Sequence, residues 1–429
     1  MDFHDNYLTF RGVAKYYYFS KNFQYFTRDQ IEYYQYKKLK KLLSIAYKNI
    51  EYYQKLFNDI DFNPIHDFKT LSDMSYIPIL TKNLAKENRK KLLNKKYNNK
   101  SLKLRTSGST GEPFEINVSY NSWIVEQSVI WRHWNWAGYK FRDKMGILRS
   151  YLPGDNGPLI YKDKLRNFIF FSPFHMTNEN MKKYIDIILE EKISVLRGYP
   201  SSLFAFSKFI KDNNYSKPDI KFLLTASEVL TQKERELIET VFNAKIYDHY
   251  GLADTCVMMG ECNQHNGLHN YEDYGYLELL DNNGTNKIIG TNLHNYAMPL
   301  IRYDTGDLAI SNNNNCSCGR HFPLIKSIQG RKDTVILTPA GQEIPVVNFY
   351  TMFDEFLEIN KWQIIQGSDY KIQFLLDTLE LNNRRLKELE TEIKKRLPNT
   401  IKTSILKNKI FIKTGEGKEP PFISKINFE

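Results

Sequence analysis

The order of apolar runs between Ile193 and Tyr247 restricts the fold more than any other feature of the sequence. Ile193-Ser-Val-Leu196 precedes Pro200-Ser-Ser-Leu-Phe204, Ile220-Lys-Phe-Leu-Leu224 precedes a helical pattern from Gln232 to Phe242, and Ala244-Lys-Ile-Tyr247 follows it. Thr231-Gln-Lys-Glu234 announces the second helix as a capping box, in which a hydroxyl and a carboxylate satisfy free backbone amides. Strand, helix, strand, helix, strand is the pattern of a parallel sheet wrapped by crossovers, and such sheets hold ligands at the carboxyl ends of their strands.

Around this core the chain separates into zones. From Gln30 to Asn99 the pattern is helical, with Leu39, Leu42, Leu43, Ala46 and Tyr47 on one apolar stripe. Tyr274 to Leu280 reads as a strand entering a turn at Asp281-Asn-Asn-Gly284. Beyond Gly330 come strands at Trp362 to Ile365, Lys371 to Leu376 and Lys409 to Ile412. A helix striped by Leu386, Leu389, Ile393 and Leu397 stops at Pro398. The expectation is an α/β protein of two domains, 1–330 (with a helical leader over about 1–100) and 331–429, since single cores stop growing at about 250–300 residues.

The net charge of +11 raises the question of a polyanion partner. The basic pieces Lys37-Lys-Leu-Lys-Lys41 and Arg89 to Lys96 carry apolar helical spacing, however, and read as solvated helix faces, so no nucleic acid is expected. No apolar run approaches the about 20 residues of a membrane span, and MDFHDNYLTF lacks the pattern of a signal peptide, which predicts a cytoplasmic protein.

Arg105-Thr-Ser-Gly-Ser-Thr-Gly-Glu-Pro-Phe114 holds two glycines and four hydroxyl residues. It lacks the lysine of a Walker A sequence and precedes an alternating strand pattern, so it reads as a loop between two strands. Small residues and hydroxyls let backbone amides and Oγ atoms close around phosphate oxygens.

This loop, Tyr250-Gly-Leu-Ala-Asp254, Arg302-Tyr-Asp-Thr-Gly-Asp307 and Gly330-Arg-Lys-Asp333 together resemble, in order, the motifs of the adenylate-forming superfamily of acyl- and aryl-CoA ligases. Phe114 stands where many members carry Lys, and Asp254 where Glu is usual. Lys41 to Tyr53, Ile77-Pro-Ile-Leu-Thr81, Arg197-Gly-Tyr-Pro-Ser201 and Ala297 to Tyr303 are similar to segments of its phenylacetate-CoA ligase-like and CapK-type branch.

The resemblance implies a large N-terminal α/β domain of the adenylate-forming type and a small, mobile α+β C-terminal domain. It implies ATP- and Mg²⁺-dependent conversion of a carboxylic acid to an acyl-adenylate, then transfer to a thiol such as CoA. Thr106, Ser107, Gly108, Ser109, Thr110 and Gly111 would grip phosphates, and Ala226, Ser227 and Glu228 would form the adenine-side wall. Asp248, His249, Tyr250 and Gly251 would lie about the adenine, Asp307 would take the ribose hydroxyls, and Asp254 would bind Mg²⁺. Arg331 would contact the nucleotide, Asp333 would be the hinge, and Lys418, with Lys425 as its rival, would be the catalytic lysine.

The four cysteines fall at Cys256, Cys262, Cys316 and Cys318. Cys316-Ser-Cys318 puts two thiolates across a tight knuckle. With Cys262 and His269 it makes a candidate structural Zn²⁺ site, Cys256 or His265 being possible substitutes. Trp123, Trp131, Trp134 and Trp136 read as helix packing rather than as an aryl pocket. The acyl acceptor stays open among CoA, another thiol, an amine and a sugar. A non-catalytic nucleotide- or polyanion-binding protein is the rival from another class. The oligomeric state stays open between monomer and homodimer.

Overall fold

A computed structural model describes residues 3–105, 114–151, 153, 157–282, 285–312, 314–331, 335–339, 343–346, 349, 352–353, 355–356, 358–378, 381–398, 400–408, 410–413 and 419–426. It divides into two compact units, Met1–Tyr139 with Tyr247–Gln329, and Lys140–Ile246 with Gly330–Glu429. The grouping of 140–246 with the C-terminal stretch is a feature that no local pattern encodes.

In the first unit, helix Arg28–Asn49 starts at a capping box made by Thr27 and Gln30. Its stripe of Leu39, Leu42, Leu43 and Ala46 is fully buried, in one cluster with Tyr53, Phe57, Ile116, Val118, Leu293 and Tyr303. Seven strands lie side by side in the order Gly275–Asn282, Thr285–Asn292, Tyr303–Asn312, Leu324–Arg331, Leu268–Asn270, Met258–Glu261 and Lys245–Gly251. Strands Ser101–Arg105 and Glu115–Ser119 pair antiparallel with Arg105 opposite Glu115, so the glycine and hydroxyl loop joins two strands. Phe114 is buried in the same cluster as the leader helices.

In the second unit, Phe222–Ala226, Val195–Gly198, Met145–Leu148 and Phe168–Phe171 lie parallel in that order, and Ile160–Asp163 adds an antiparallel edge. The crossovers are helices Asn178–Glu190 and Pro200–Asp212. Helix Gln232–Phe242 begins at the predicted box, with Thr231 N donating to Glu234 Oε2 at 3.0 Å. One face of the sheet is a core of Leu148, Leu196, Leu203, Phe206, Leu223 and Ile238. Each such side chain adds about 1.5–3 kcal/mol of burial free energy.

The C-terminal part carries a four-stranded sheet in the order Thr403–Lys407, Ile372–Thr378, Ile359–Gln366, Phe422–Ser424, and helix Asn383–Arg396. The strand expected at 409–412 is absent over the described residues 410–412, and Ile410 is exposed. The reason is the buried Gln363, whose amide accepts from Ile412 N at 2.8 Å and donates to Ile412 O at 2.9 Å, taking the groups a ladder would need. Thr403–Lys407 and Phe422–Ser424 pair parallel to the sheet instead. Among the described residues no helix is long and apolar enough to cross a membrane.

Candidate active site and metal centre

In the first unit, strand Lys245–Gly251 pairs antiparallel with Met258–Glu261 and ends in the turn that carries Asp254. Tyr250 donates its hydroxyl to Asp307 Oδ2 at 2.7 Å. Burial, then the adjacent carboxylate, raises the Tyr250 pKa well above its ordinary value, so the phenol stays a donor and fixes Asp307. Thr305 Oγ1 accepts from Asp307 N at 3.1 Å and donates to Ile288 O at 2.9 Å, locking the bend before the carboxylate. Asp248 N donates to Glu261 Oε2 at 3.0 Å, and the His249 ring lies 5.2 Å from that of His133. Asp254 is buried beside Thr255, whose backbone has φ +57°, a costly conformation for a β-branched residue.

Arg302, the first residue of the motif that ends at Asp307, has a structural task. Its guanidinium pairs with Glu278 at 2.9 Å and donates to Ser75 O at 3.1 Å, while Leu80 N donates to Arg302 O at 3.0 Å. It ties the leader to the strand that presents Asp307.

Cys262, His269, Cys316 and Cys318 bring four ligand atoms within 4.8 Å of one another. Cys262 Sγ lies 3.6 Å from Cys316 Sγ, and Cys318 Sγ lies 3.4 Å from His269 Nε2. A disulfide needs about 2.05 Å between sulfurs, whereas Zn–S bonds of about 2.3 Å and Zn–N bonds of about 2.0 Å at tetrahedral angles put ligand atoms about 3.5–3.8 Å apart. His269 Nδ1 lies 2.9 Å from Phe322 O, and as the donor there it turns Nε2 and its lone pair toward the sulfurs. Burial holds His269 down at about 4, a neutral imidazole, and pushes Cys262 up to about 12, so that thiol ionises readily only against a cation. The substitutes weighed from sequence lie otherwise. Cys256 donates to Asp254 O at 3.4 Å, and His265 Nδ1 lies 3.5 Å from Glu261 Oε2.

In the second unit, Ala226 ends strand Phe222–Ala226, and Ser227 follows with φ +76°. Glu228 accepts from Ser201 N at 3.0 Å and from Ser201 Oγ at 3.1 Å, joining this turn to the first residues of helix Pro200–Asp212. Arg149 donates to Ser227 Oγ at 3.0 Å and lies over the Tyr199 ring at 5.4 Å. Burial first, and Arg149 second, work against the charge of Arg197, so two guanidiniums share the carboxyl ends of adjacent parallel strands. Sequence reasoning missed Arg149. Its signal was its place directly after an apolar strand.

Thr106 to Gly111, Asp333 and Lys418 lie outside the described residues, and Arg331 is described only as the last residue of strand Leu324–Arg331. Trp131, Trp134 and Trp136 are buried in helix Tyr120–Trp136. Trp131 and Trp134 pack 5.7 Å apart, and Trp136 donates to Gln24 Oε1 at 2.7 Å, as core residues do.

With this geometry in view, the chain can be set beside known proteins. No family model matches it. A solved structure of 2-hydroxyisobutyryl-CoA ligase in the postadenylation state superposes with a TM-score of 0.71 at 15% identity, covering 94% of this chain and 91% of that one. The fold is that of the adenylate-forming CoA ligases. The chain is also similar to Protein CapK of Staphylococcus aureus, 24% identical over 81% of this chain and 79% of that protein. It is 22% identical to phenylacetate-coenzyme A ligase of Escherichia coli over 87% of this chain and 89% of that enzyme. Coenzyme A ligases thus occur both among the similar structures and, beside Protein CapK, among the similar sequences.

Proposed function

We propose that the protein is an ATP-dependent acid ligase. A carboxylate oxygen attacks the α-phosphorus of ATP, the bond to the β-phosphate oxygen breaks, and acyl- or aryl-adenylate and pyrophosphate result. The thiolate of CoA then attacks the acyl carbonyl, and AMP leaves. The observation that carries this reading is similarity to phenylacetate-coenzyme A ligases along most of the chain, joined to the hydrogen bond from the half-buried Tyr250 to the buried Asp307 at the motif that resembles a ribose site.

In this reading the Thr106 to Gly111 loop holds the phosphates, Ala226 to Glu228 and Asp248 to Gly251 flank the adenine, and Asp307 orients the ribose. Arg331 contacts the nucleotide, and chain rotation at Asp333 separates the two half-reactions. Lys418 meets charge developing on the α-phosphate. Mg²⁺ sits with one or two carboxylates plus substrate phosphates, so Asp254 fits as its protein ligand, and the ion would offset charge on the departing pyrophosphate. Cys262, His269, Cys316 and Cys318 hold a structural Zn²⁺, since four protein ligands leave no open position for chemistry. In a second reading, which the CapK-type resemblance of the sequence implies, an amine or sugar accepts the acyl group.

The test is pyrophosphate release with ATP, Mg²⁺ and a panel of aryl, fatty, hydroxy and amino acids, each with and without CoA. Turnover with one acid that requires CoA supports the ligase. A CoA-indifferent signal points to the second acceptor class. Silence with every acid, together with salt-sensitive retention on heparin, would replace the enzyme with a polyanion binder.

A further inference from the structure

Lys37-Lys-Leu-Lys-Lys41 reads from sequence as a solvated helix face, and the structure departs from that at Lys38, which is half-buried. Lys38 and Lys41 stand one turn apart on helix Arg28–Asn49, and Lys15 ends helix Phe3–Lys15. Aromatic rings seat all three ammoniums. Lys15 Nζ lies 5.1 Å from the centre of the Phe19 ring and 5.7 Å from that of Tyr18. Lys38 Nζ lies 5.2 Å from the centre of the Tyr34 ring, and Lys41 Nζ 5.5 Å from that of Tyr296. The Phe19 and Tyr34 rings are themselves 5.7 Å apart, which brings Lys15 and Lys38 to one place. His294 is buried near both, its Nε2 2.7 Å from Asp273 O.

This recess gathers charge of one sign. Burial lowers the Lys38 pKa, and Lys15 and Lys41 lower it further. Burial lowers that of Lys15 as well, against the pull of Asp273. Burial, then Lys38, with Lys15 adding to them against the carbonyl of Asp273, hold His294 down at about 3. Asp273 is engaged elsewhere, by Arg132, which donates to its two oxygens at 2.7 and 2.9 Å. Among the described residues no carboxylate forms an ion pair with Lys15, Lys38 or Lys41. Like charges held together and half out of water raise the free energy, and solvated lysines escape this by swinging apart. Here the negative faces of the rings hold the ammoniums in place. An anion of two or more charges removes the repulsion.

We propose that Lys15, Lys38 and Lys41 form a binding site for a phosphate monoester or diphosphate, whose terminal oxygens the three ammoniums meet. Lysine suits such a group as a compact charge with three donors, and a phosphate monoester carries about two negative charges at neutral pH. The phosphate belongs to a soluble molecule or to a lipid headgroup. Tyr17 and Tyr18, just after Lys15, are 53% and 71% exposed, and tyrosine is a side chain that settles at bilayer surfaces. The ligase reading assigns none of these residues, and the proposal does not depend on it.

The experiment labels the full-length protein with an amine-reactive ester, without Mg²⁺, and reads each lysine by mass spectrometry. The probes are inorganic pyrophosphate, phosphatidylcholine vesicles, and the same vesicles containing phosphatidic acid. Because the readout is local, pyrophosphate bound at any other site does not register. Pyrophosphate, or vesicles only when they contain phosphatidic acid, should slow labelling of Lys15, Lys38 and Lys41 by about tenfold at about ten times the probe's Kd. Lys48, exposed on the same helix, should label as before.

Lys38→Gln and Lys41→Gln should each weaken binding, read as protection of Lys15, by about tenfold, the loss of one charge-assisted hydrogen bond. Lys38→Arg should keep most of it. Protection by pyrophosphate supports a site for soluble phosphate compounds, and protection by phosphatidic acid vesicles alone supports a headgroup site. Four results overturn the proposal: protection by no probe, protection by phosphatidylcholine alone, equal protection of Lys48, or protection of Lys15 that is unchanged in both glutamine variants.

Discussion

Glu126 offers a stability prediction with a definite pH signature. It lies in helix Tyr120–Trp136, buried, with Oε2 accepting the Tyr274 hydroxyl at 2.9 Å. Burial pushes its carboxyl from 4.5 up to about 7, against the pull of the Tyr274 hydrogen bond. Below the unfolded value both states carry the proton, and the group's stabilising contribution is fully present. As pH rises toward 7 the unfolded chain ionises while the folded one still holds its proton, so stability falls. A displacement from 4.5 to about 7 corresponds to about 3 kcal/mol once pH exceeds both values. Glu126→Gln keeps an acceptor for Tyr274 and does not titrate. Urea denaturation followed by tryptophan fluorescence should show the stability of the variant, relative to the unaltered protein, climbing by about 3 kcal/mol between pH 4.5 and 8. A difference that stays constant across that range would refute a buried, proton-holding Glu126.

Purified protein should carry about one Zn²⁺ per chain by elemental analysis; Cys318→Ala should abolish the metal and lower the Tm, and a chelator should do the same to the unaltered protein. Tyr250→Phe removes a hydrogen bond to a charged acceptor, worth about 1.5–3 kcal/mol, so ATP affinity by calorimetry should weaken by about tenfold or more. Arg132 pairs with Asp273 through two contacts of 2.7 and 2.9 Å, both residues being buried. Arg132→Met should therefore cost about 3–5 kcal/mol of unfolding free energy, and adding Asp273→Asn should recover part of it. Gly260→Ala would bring a Cβ within 2.0 Å of the Tyr271 hydroxyl and 2.6 Å of His133, so it should lower the Tm even though glycine is conformationally free in the reference state.

How much was legible depended on whether the signal was local. The helix Gln232–Phe242 stands where Thr231 and Glu234 announced it, because a capping box is complete within four residues. The parallel strands followed from apolar runs separated by crossover lengths, and the hairpin around the hydroxyl loop from the alternation after Pro113. The Cys316 and Cys318 knuckle was visible as spacing. That His269 rather than His265 turns toward it is decided by the carbonyl of Phe322, which orients one imidazole, while Glu261 lies against the other.

The strand missed at 403–407 and the one expected at 409–412 show the limit on the other side. Both segments have β-type patterns, and the backbone groups of Ile412 went to the amide of Gln363, 49 residues earlier in sequence. Outside such segments the sequence by itself determined the element types, the motif order and the residue kinds present, because periodicity and capping act over a few residues. Only the tertiary structure decided that Tyr250 holds Asp307, that Arg149 and Arg197 share neighbouring strand ends, and that Lys361 gathers Glu234 and Glu419. Those arrangements exist because burial makes an uncompensated charge or unmade hydrogen bond too costly to leave, and the partner that compensates it can come from any distance along the chain.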